Sequence, residues 1–390
     1  MAGVFLSRQP LVNRQSRIIA TRLSLHADGR VGAREAAQAL AALAGDWPRG
    51  EKLWFINAGE IPAEAALLAW TIPENATLEV RPADLLGPAA GDYAAALRAA
   101  QPSLCLNYDA QAAEALASGL KFRFVAFDVQ RPLASLHDLA VKMQPHGIGI
   151  ALNVPDRAAF KTCLDAGINA TASWFFKQPA GVPAKKLNSA QAQIVRVLNL
   201  VRKNADVKDI EAALKQDVAL SYKLLRYINS AGFGLSCEIQ SFFHAVTILG
   251  YDRLNKWLSL LLVTASKDPM APALMHAALT RARLMELLGH GLVDPHEYDN
   301  LFITGAFSLL DVLLGVSMEN ALESMNLPES ICDALLERHG IYAPFLDLAC
   351  VSESADGQAI AEQAGLLGLS ANVFNSAQLQ ALGFADSMEG

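Results

Sequence analysis

Hydrophobic and polar positions in the first half of the chain alternate in a way that predicts strands and helices in turn. An apolar run after residue 3, a polar turn at residues 13–16 and a second apolar run at 18–25 predict a strand hairpin. Short apolar runs then alternate with Ala-rich segments. Extended segments are predicted at 52–57, 76–80, 103–106, 122–129, 139–143, 147–153 and 171–176, and helices at 34–44, 63–70, 93–99, 110–118 and 157–166. Repeated units of this length predict a parallel sheet closed by helices, most economically a barrel.

The second half of the chain has helical spacing instead. One helix is capped by Asp217 and stopped by the glycines at 232–234, a second ends at Gly250, and a third starts after Asp252 and passes Trp257. Further helices are predicted at 188–201, 271–288, 298–314, 328–338 and 345–350, and the apolar positions of residues 354–390 predict a helical, docked tail.

A linker separates these two patterns. Residues 179–186, PAGVPAKK, are bounded by prolines and lack apolar periodicity. We therefore predict an α/β barrel domain at residues 1–178, a linker at 179–187 and an all-helical domain at 188–390.

Composition narrows the class of protein. The 390 residues are 52% hydrophobic and 18% charged, enough to bury large cores in about two domains. The start of the chain lacks a secretory pattern, and the longest apolar run, near 257–265, is too short for a membrane span. We therefore expect a cytoplasmic protein without a membrane partner. The five cysteines form no CxxC pair, so neither a disulfide framework nor a zinc site is expected.

Charge differs between the two halves. Up to Lys186 there are 19 basic and 16 acidic residues, a net +3, and the remainder has 13 and 23, a net −10. No Lys or Arg follows His339. Neutralising nucleic-acid phosphates needs basic side chains, so we expect no nucleic-acid partner.

The helical half resembles the HDOD domain, an all-helical relative of HD phosphohydrolases that lacks their catalytic residues. The matching positions are Asp217, Leu220, Lys223, Leu224, Leu225, Asn229, Ser230, Ala231, Phe233, Gly234, Ala245, Leu249, Gly250 and Trp257. The resemblance implies a signalling module that binds other signalling proteins. It leaves open whether the chain forms a homodimer.

The first half resembles EAL domains, barrel enzymes that hydrolyse cyclic di-GMP with two divalent metal ions. The opening FLSRQPLVNRQSRIIATRLSLH looks like their first hairpin, and Arg8-Gln9-Pro10 is typical of the subgroup in which an HDOD domain follows. Four positions match the family's site: the metal-binding asparagine at Asn57, the strand glutamate at Glu79, the first paired aspartate at Asp128 and the strand lysine at Lys142.

Other positions of the EAL site are changed. Arg22 stands where the name-giving glutamate is expected, and it would put a permanent positive charge where a cation must bind. The remaining changed positions are His26, Val129, Gln144, Leu152, Pro155 and Ala172. Two metals would then have too few oxygen ligands. We therefore expect no catalytic, metal-binding or cofactor-binding residues, no bound cyclic di-GMP and no enzyme activity, and we predict a scaffold that acts through protein contacts.

Two alternatives remain open. The barrel could bind cyclic di-GMP as a non-catalytic receptor, with Lys142 meeting phosphates, or the chain could be an enzyme, either a phosphodiesterase or an HD phosphohydrolase. His137-Asp138 spells the HD pair but lies in the barrel half, where we interpret it as a chance dipeptide on a helix. His276, His290, His296 and His339 lack the cluster that a dinuclear site needs and are predicted to be surface or capping residues.

Overall fold

The computed structural model describes residues 3–29, 31–87, 89–131, 134–179, 187, 189–215, 242–264, 266, 268–323 and 325–388. Contacts divide the chain into two compact units. The first comprises Met1–Phe176 and Cys350–Leu379, and the second comprises Lys177–Ala349 and Gln380–Gly390.

Eight strands of the first unit close into a barrel in chain order. They are β1 (Val4–Asn13), β2 (Ile18–Ala27), β3 (Leu53–Asn57), β4 (Ala76–Val80), β5 (Ser103–Asn107), β6 (Phe124–Asp128), β7 (Ile148–Leu152) and β8 (Ala170–Ala172). Strand β1 is antiparallel to both β2 and β8, and the other neighbouring pairs are parallel. The predicted TIM-like barrel and its opening hairpin are confirmed.

Helices follow individual strands of the barrel. They are α1 (Ala33–Ala42), α2 (Ala90–Ala100), α3 (Ala112–Ala117), α4 (Leu136–Met143) and α5 (Arg157–Asp165). A single 3-10 turn, Ala65–Leu68, stands where we predicted a helix at 63–70.

Helix α4 corrects one predicted strand. We predicted residues 139–143 to be extended, with Lys142 as a strand lysine, but they lie in α4. The side-chain oxygen of Ser135 accepts a hydrogen bond from the backbone N–H of Asp138 and so caps the helix. Leu139 and Met143 are buried one helical turn apart, whereas Lys142 is exposed.

The barrel interior is filled by alternate residues of the strands, because successive strand side chains point to opposite faces. This apolar layer consists of Leu11, Ala20, Phe55, Cys105, Phe124, Ala126, Ile150, Leu152 and Ala172, all at most 8% exposed. In each parallel strand, the side chain two residues after a member of this layer also points into the barrel. It lies nearer the C-terminal ends of the strands, which form the opening that we call the mouth. The side chains that follow this layer therefore line the mouth.

The second unit is helical, as predicted. Its helices are α6 (Ser189–Arg202), α7 (Val207–Lys215), α8 (Phe242–Thr264), α9 (Ala271–Gly289), α10 (Tyr298–Phe307), α11 (Leu310–Leu314), α12 (Met318–Glu323), α13 (Glu329–Leu336) and most of α14 (Ala343–Val351). Gly250 interrupts α8 with φ 73°, at the helix end that we predicted. The predicted motif at 217–234, the side chains of Ala245, Leu249 and Trp257, and the linker residues 180–186 lie outside the described residues.

The chain ends in α15 (Gly357–Leu366) and α16 (Ala371–Ser387). We predicted that residues 188–390 form one helical domain, but contacts group Cys350–Leu379 with the barrel. The reason is the open edge of β1, which pairs with β8 only over its last three residues.

Residues of this C-terminal segment hydrogen-bond the open edge of β1. Asn375 accepts from the N–H of Leu6 and donates to the carbonyl of Val4, at 2.9 and 2.7 Å. Gln378 donates to the carbonyl of Leu6, and the N–H of Arg8 donates to the carbonyl of Ser352, both at 2.9 Å. The segment thus satisfies backbone groups that a neighbouring strand would otherwise pair.

Among the described residues, no helix is both long enough and apolar enough to cross a membrane.

Candidate functional site

Polar side chains collect at the C-terminal ends of the barrel strands. Asn57, Asn107 and Asp128 are the last residues of β3, β5 and β6, and Glu79 is the last but one of β4. The corresponding ends of β7 and β8 are Leu152 and Ala172, which belong to the apolar layer. One side of the mouth is therefore polar and the other apolar. In barrels of this kind the C-terminal end of the strands carries the active site.

Arg22 of β2 forms an ion pair with Glu79 inside this mouth. Its Nε donates to Oε1 at 2.6 Å and its Nη2 to Oε2 at 2.9 Å, so the guanidinium holds both carboxylate oxygens. Nη1 makes a longer contact of 3.5 Å with Oε1 of Gln9 on β1. The Arg22 side chain is 15% exposed and that of Glu79 only 2%.

The ion pair sets the electrostatics of the mouth. Burial lowers the pKa of the Arg22 guanidinium, but the nearby Glu79 carboxylate outweighs it, and the pKa ends above its ordinary value. Cys105 lies in the layer beneath, where burial first and the Glu79 charge second raise the pKa of its thiol well above the usual range. Arg22 is therefore a permanent cation, and Cys105 is a neutral thiol.

Asn107 is a site residue that sequence reasoning missed. Its Nδ2 donates to Oε2 of Glu79 at 3.1 Å. Its Oδ1 is buried and has no hydrogen-bond partner in the described part of the chain. Such an atom is costly unless something donates to it. A signal existed, because Asn107 directly follows the strand predicted at 103–106, and Asn57 likewise stands at the end of the strand predicted at 52–57.

Asn57 and Asp128 are engaged with local partners. Nδ2 of Asn57 donates to Oγ of Ser24 at 3.1 Å, and its Oδ1 accepts from the N–H of Gly59 at 3.2 Å. Gly59 has φ +62°, and a Cβ there would lie 2.4 Å from the carbonyl oxygen of Leu25, so this turn requires glycine. The carboxylate of Asp128 accepts from the N–H of Gln130 at 2.9 Å and from Asn153 Nδ2 at 3.0 Å.

His26 lies near the end of β2. Its Nε2 is 2.8 Å from Oγ of Ser7 on β1. Burial lowers the pKa of the imidazole, and the charge of Arg22 lowers it further, against the opposing effect of Asp356. The ring is therefore held neutral more strongly than a free histidine.

The sequence-predicted residues are thus partly brought together. Asn57, Glu79 and Asp128 lie at the mouth, whereas Lys142 lies on exposed α4 and not on a barrel strand. His137 and Asp138 are exposed on the same helix, consistent with a chance dipeptide. The prediction for His276 is wrong, because it is 2% exposed and its Nε2 lies 2.7 Å from Oδ1 of Asp386 within the helical unit.

The two-metal site of EAL enzymes does not fit these residues as they are arranged. Both oxygens of Glu79 are held by Arg22, and those of Asp128 accept from Gln130 and Asn153. Within the described residues, no three His, Cys, Asp or Glu side chains are grouped so that they could hold a metal ion.

Comparison with known proteins identifies the helical half. The HDOD domain family matches residues 186–312, and the chain therefore contains an HDOD domain, as predicted.

Two curated relatives match part of the chain. Cyclic di-GMP phosphodiesterase CdgJ of Vibrio cholerae is 30% identical over 221 residues, which cover 56% of this chain and 51% of CdgJ. Uncharacterized protein YuxH of Bacillus subtilis is 26% identical over 211 residues, 53% of this chain and 51% of YuxH. The match thus spans about half the length of each relative. Among solved structures, the EAL domain of Mycobacterium smegmatis DcpA is similar at 12% identity and a TM-score of 0.33, over 44% of this chain and 90% of DcpA's.

One expectation is overturned by these similarities. We expected the chain not to be an enzyme, because the EAL positions are incomplete. CdgJ, a relative at 30% identity, is named a cyclic di-GMP phosphodiesterase, and this contradicts the expectation. Incomplete matching to a motif was too weak a reason to exclude activity.

Proposed function

We propose that this chain acts in cyclic di-GMP signalling and that its barrel binds the cyclic dinucleotide at the mouth. The observation that carries the proposal is Arg22, a permanent and partly exposed cation among polar side chains at the C-terminal end of the strands. The similarity to CdgJ supports cyclic di-GMP as the ligand. The barrel architecture supports the location.

The chemistry of the mouth suits a phosphodiester with attached bases. A guanidinium has five N–H donors, and two of those on Arg22 are used by Glu79, so donors remain for phosphate oxygens. Oδ1 of Asn107, which has no hydrogen-bond partner among the described residues, supplies an acceptor for an N–H or O–H group of the ligand.

Binding is tested by calorimetric titration of the full chain with cyclic di-GMP. Arg22→Gln removes the cation, and we expect the affinity to fall about tenfold or more, as for the loss of one charged hydrogen bond. Arg14→Gln changes an arginine in the hairpin turn at the other end of β2 and should keep the wild-type affinity. Equal affinities of the Arg22 and Arg14 variants, or no binding by the wild type, would contradict the proposal.

Hydrolysis of cyclic di-GMP is a second candidate function, and the specific observation that favours it is the similarity to CdgJ. Hydrolysis adds water across one phosphodiester bond and gives a linear dinucleotide. The same samples, incubated with Mn²⁺ and then separated by chromatography, should contain this product at an amount proportional to protein. A nucleotide that is bound and recovered intact would count against hydrolysis while leaving the binding proposal standing.

We also propose that the HDOD domain binds a partner protein in the cytoplasm. Exposed acidic side chains on the helices of this domain favour a partner with a basic surface. Asp209 and Asp252 are exposed acidic residues on α7 and α8. Once a partner is identified by affinity capture, the double variant Asp209→Lys/Asp252→Lys should bind it several-fold more weakly than the wild type does. The difference in affinity should be larger at low salt, where charges are screened less. Unchanged binding at low salt would rule out this acidic surface as the contact.

A further inference from the structure

Glu79 is the most buried carboxylate of the mouth, and its two oxygens already have a cation. Arg22 contacts both at 2.6 and 2.9 Å, and Asn107 adds a third hydrogen bond at 3.1 Å. A divalent ion prefers such carboxylate oxygens. It cannot reach them while the guanidinium lies there.

The surrounding residues do not offer a replacement for Glu79. The Oδ1 atoms of Asn57 and Asp128 accept backbone N–H groups, and Oδ2 of Asp128 accepts from Asn153. Oδ1 of Asn107 has no hydrogen-bond partner in the part of the chain that the structure describes, but it is a single neutral ligand. Metal binding at the mouth therefore depends on Glu79.

We infer that Arg22 competes with divalent cations for Glu79 and so determines whether a metal can enter the mouth. The ion pair must open before Glu79 can bind a metal, and the freed guanidinium then stands as a like charge beside the incoming ion. Both effects lower the metal affinity. Opening the pair is costly because the Glu79 side chain is only 2% exposed, so water solvates its carboxylate poorly once Arg22 has moved away. The inference does not depend on whether cyclic di-GMP is the ligand.

The competition predicts that removing Arg22 creates or strengthens a metal site. We expect Arg22→Gln to bind one Mn²⁺ at least tenfold more tightly than the wild-type chain, measured by calorimetry and by the paramagnetic resonance signal of free Mn²⁺. Adding Glu79→Gln to this variant should abolish the gain, because the acquired site uses Glu79. Arg14→Gln, which removes an exposed arginine, should bind Mn²⁺ as the wild type does.

Two results would overturn the inference. They are an Arg22→Gln variant that binds Mn²⁺ no more tightly than the wild-type chain, and a gain that survives Glu79→Gln. Circular dichroism and thermal melting check that the variants fold, and Mn²⁺ should raise the Tm of Arg22→Gln but not that of the double variant.

A second variant decides the question if Arg22→Gln does not fold. Arg22→Lys keeps a positive charge but replaces the two-pronged contact by a compact ammonium. Its Mn²⁺ affinity should lie above that of the wild type, because a single ammonium holds the two oxygens of Glu79 less completely. An affinity equal to or below that of the wild type would contradict competition for the two oxygens of Glu79.

Discussion

Two arginines on neighbouring strands of the barrel each bind a glutamate, but they lie in different surroundings. Arg8 of β1 pairs with Glu353 at 2.9 Å, and both side chains are 1% exposed. Arg22 of β2 pairs with Glu79 at 2.6 Å, and its side chain keeps 15% exposure. The first pair joins the C-terminal segment to the barrel, whereas the second lies in the mouth.

The difference shows how one chemical pair can have a structural or a functional role. Arg8 Nη1 also donates to Ser352 and Gln378, so its pair is enclosed by the protein's own groups. Around Arg22, the Gln9 contact is long and Oδ1 of Asn107 has no partner within the described residues. The enclosed pair serves stability, and the open one leaves donors and an acceptor for a ligand.

Breaking the enclosed pair should give the largest effect. Arg8→Met leaves Glu353 buried without its cation, and we expect the free energy of unfolding to fall by about 3–5 kcal/mol, as for other broken buried pairs. Urea unfolding followed by circular dichroism measures the change. Replacing both partners, as in Arg8→Met with Glu353→Leu, should cost less than Arg8→Met alone, because no buried charge is then left unpaired.

An exposed pair provides the control for this experiment. Arg14 and Asp165 lie 3.9 Å apart with side chains 61% and 60% exposed. Arg14→Met should therefore change the free energy of unfolding by less than about 1 kcal/mol. If Arg8→Met lowered the free energy of unfolding as little as Arg14→Met does, the ion pair of Arg8 with Glu353 would not be what holds the C-terminal segment on the barrel.

Much of the fold could be predicted from local pattern. The hairpin, the alternation of strands and helices and the interruption at Gly250 all follow from spacing and turn residues, which act over short distances. Helix α4 was misread because Leu139, Val141 and Met143 alternate like a strand, although Val141 is 56% exposed and the cap at Ser135 starts a helix.

The pairing of Arg8 with Glu353 could not be predicted, because the two residues are 345 positions apart and neither lies in a pattern that names the other. The candidate site was predictable where the sequence resembles the EAL site, as at Asn57, Glu79 and Asp128. The contact of Arg22 with Glu79 depends on tertiary pairing, because β2 and β4 come within reach of each other only when both pair with β3. Asn107 was missed because asparagine is also an ordinary turn residue.

A smaller effect is expected at His26. Its ring contacts Ser7 on β1, beside Arg8 in the sequence, and its pKa is lowered by burial and by the charge of Arg22. Its pKa is lowered in the folded chain, so as pH falls the unfolded chain takes up the proton first, at a pKa of about 6.5. Its contribution to stability is therefore present above that pH and is lost as pH falls from there toward the lower pKa of the folded state.

His26→Gln should reduce the loss of unfolding free energy between pH 7.5 and 5.5, by at most about 1.4 kcal/mol per pH unit for one proton. Urea unfolding at the two pH values measures this loss in the wild type and the variant. The exposed His146→Gln should retain the wild-type dependence. Should His26→Gln retain it as well, burial and the charge of Arg22 would not be what holds the imidazole neutral.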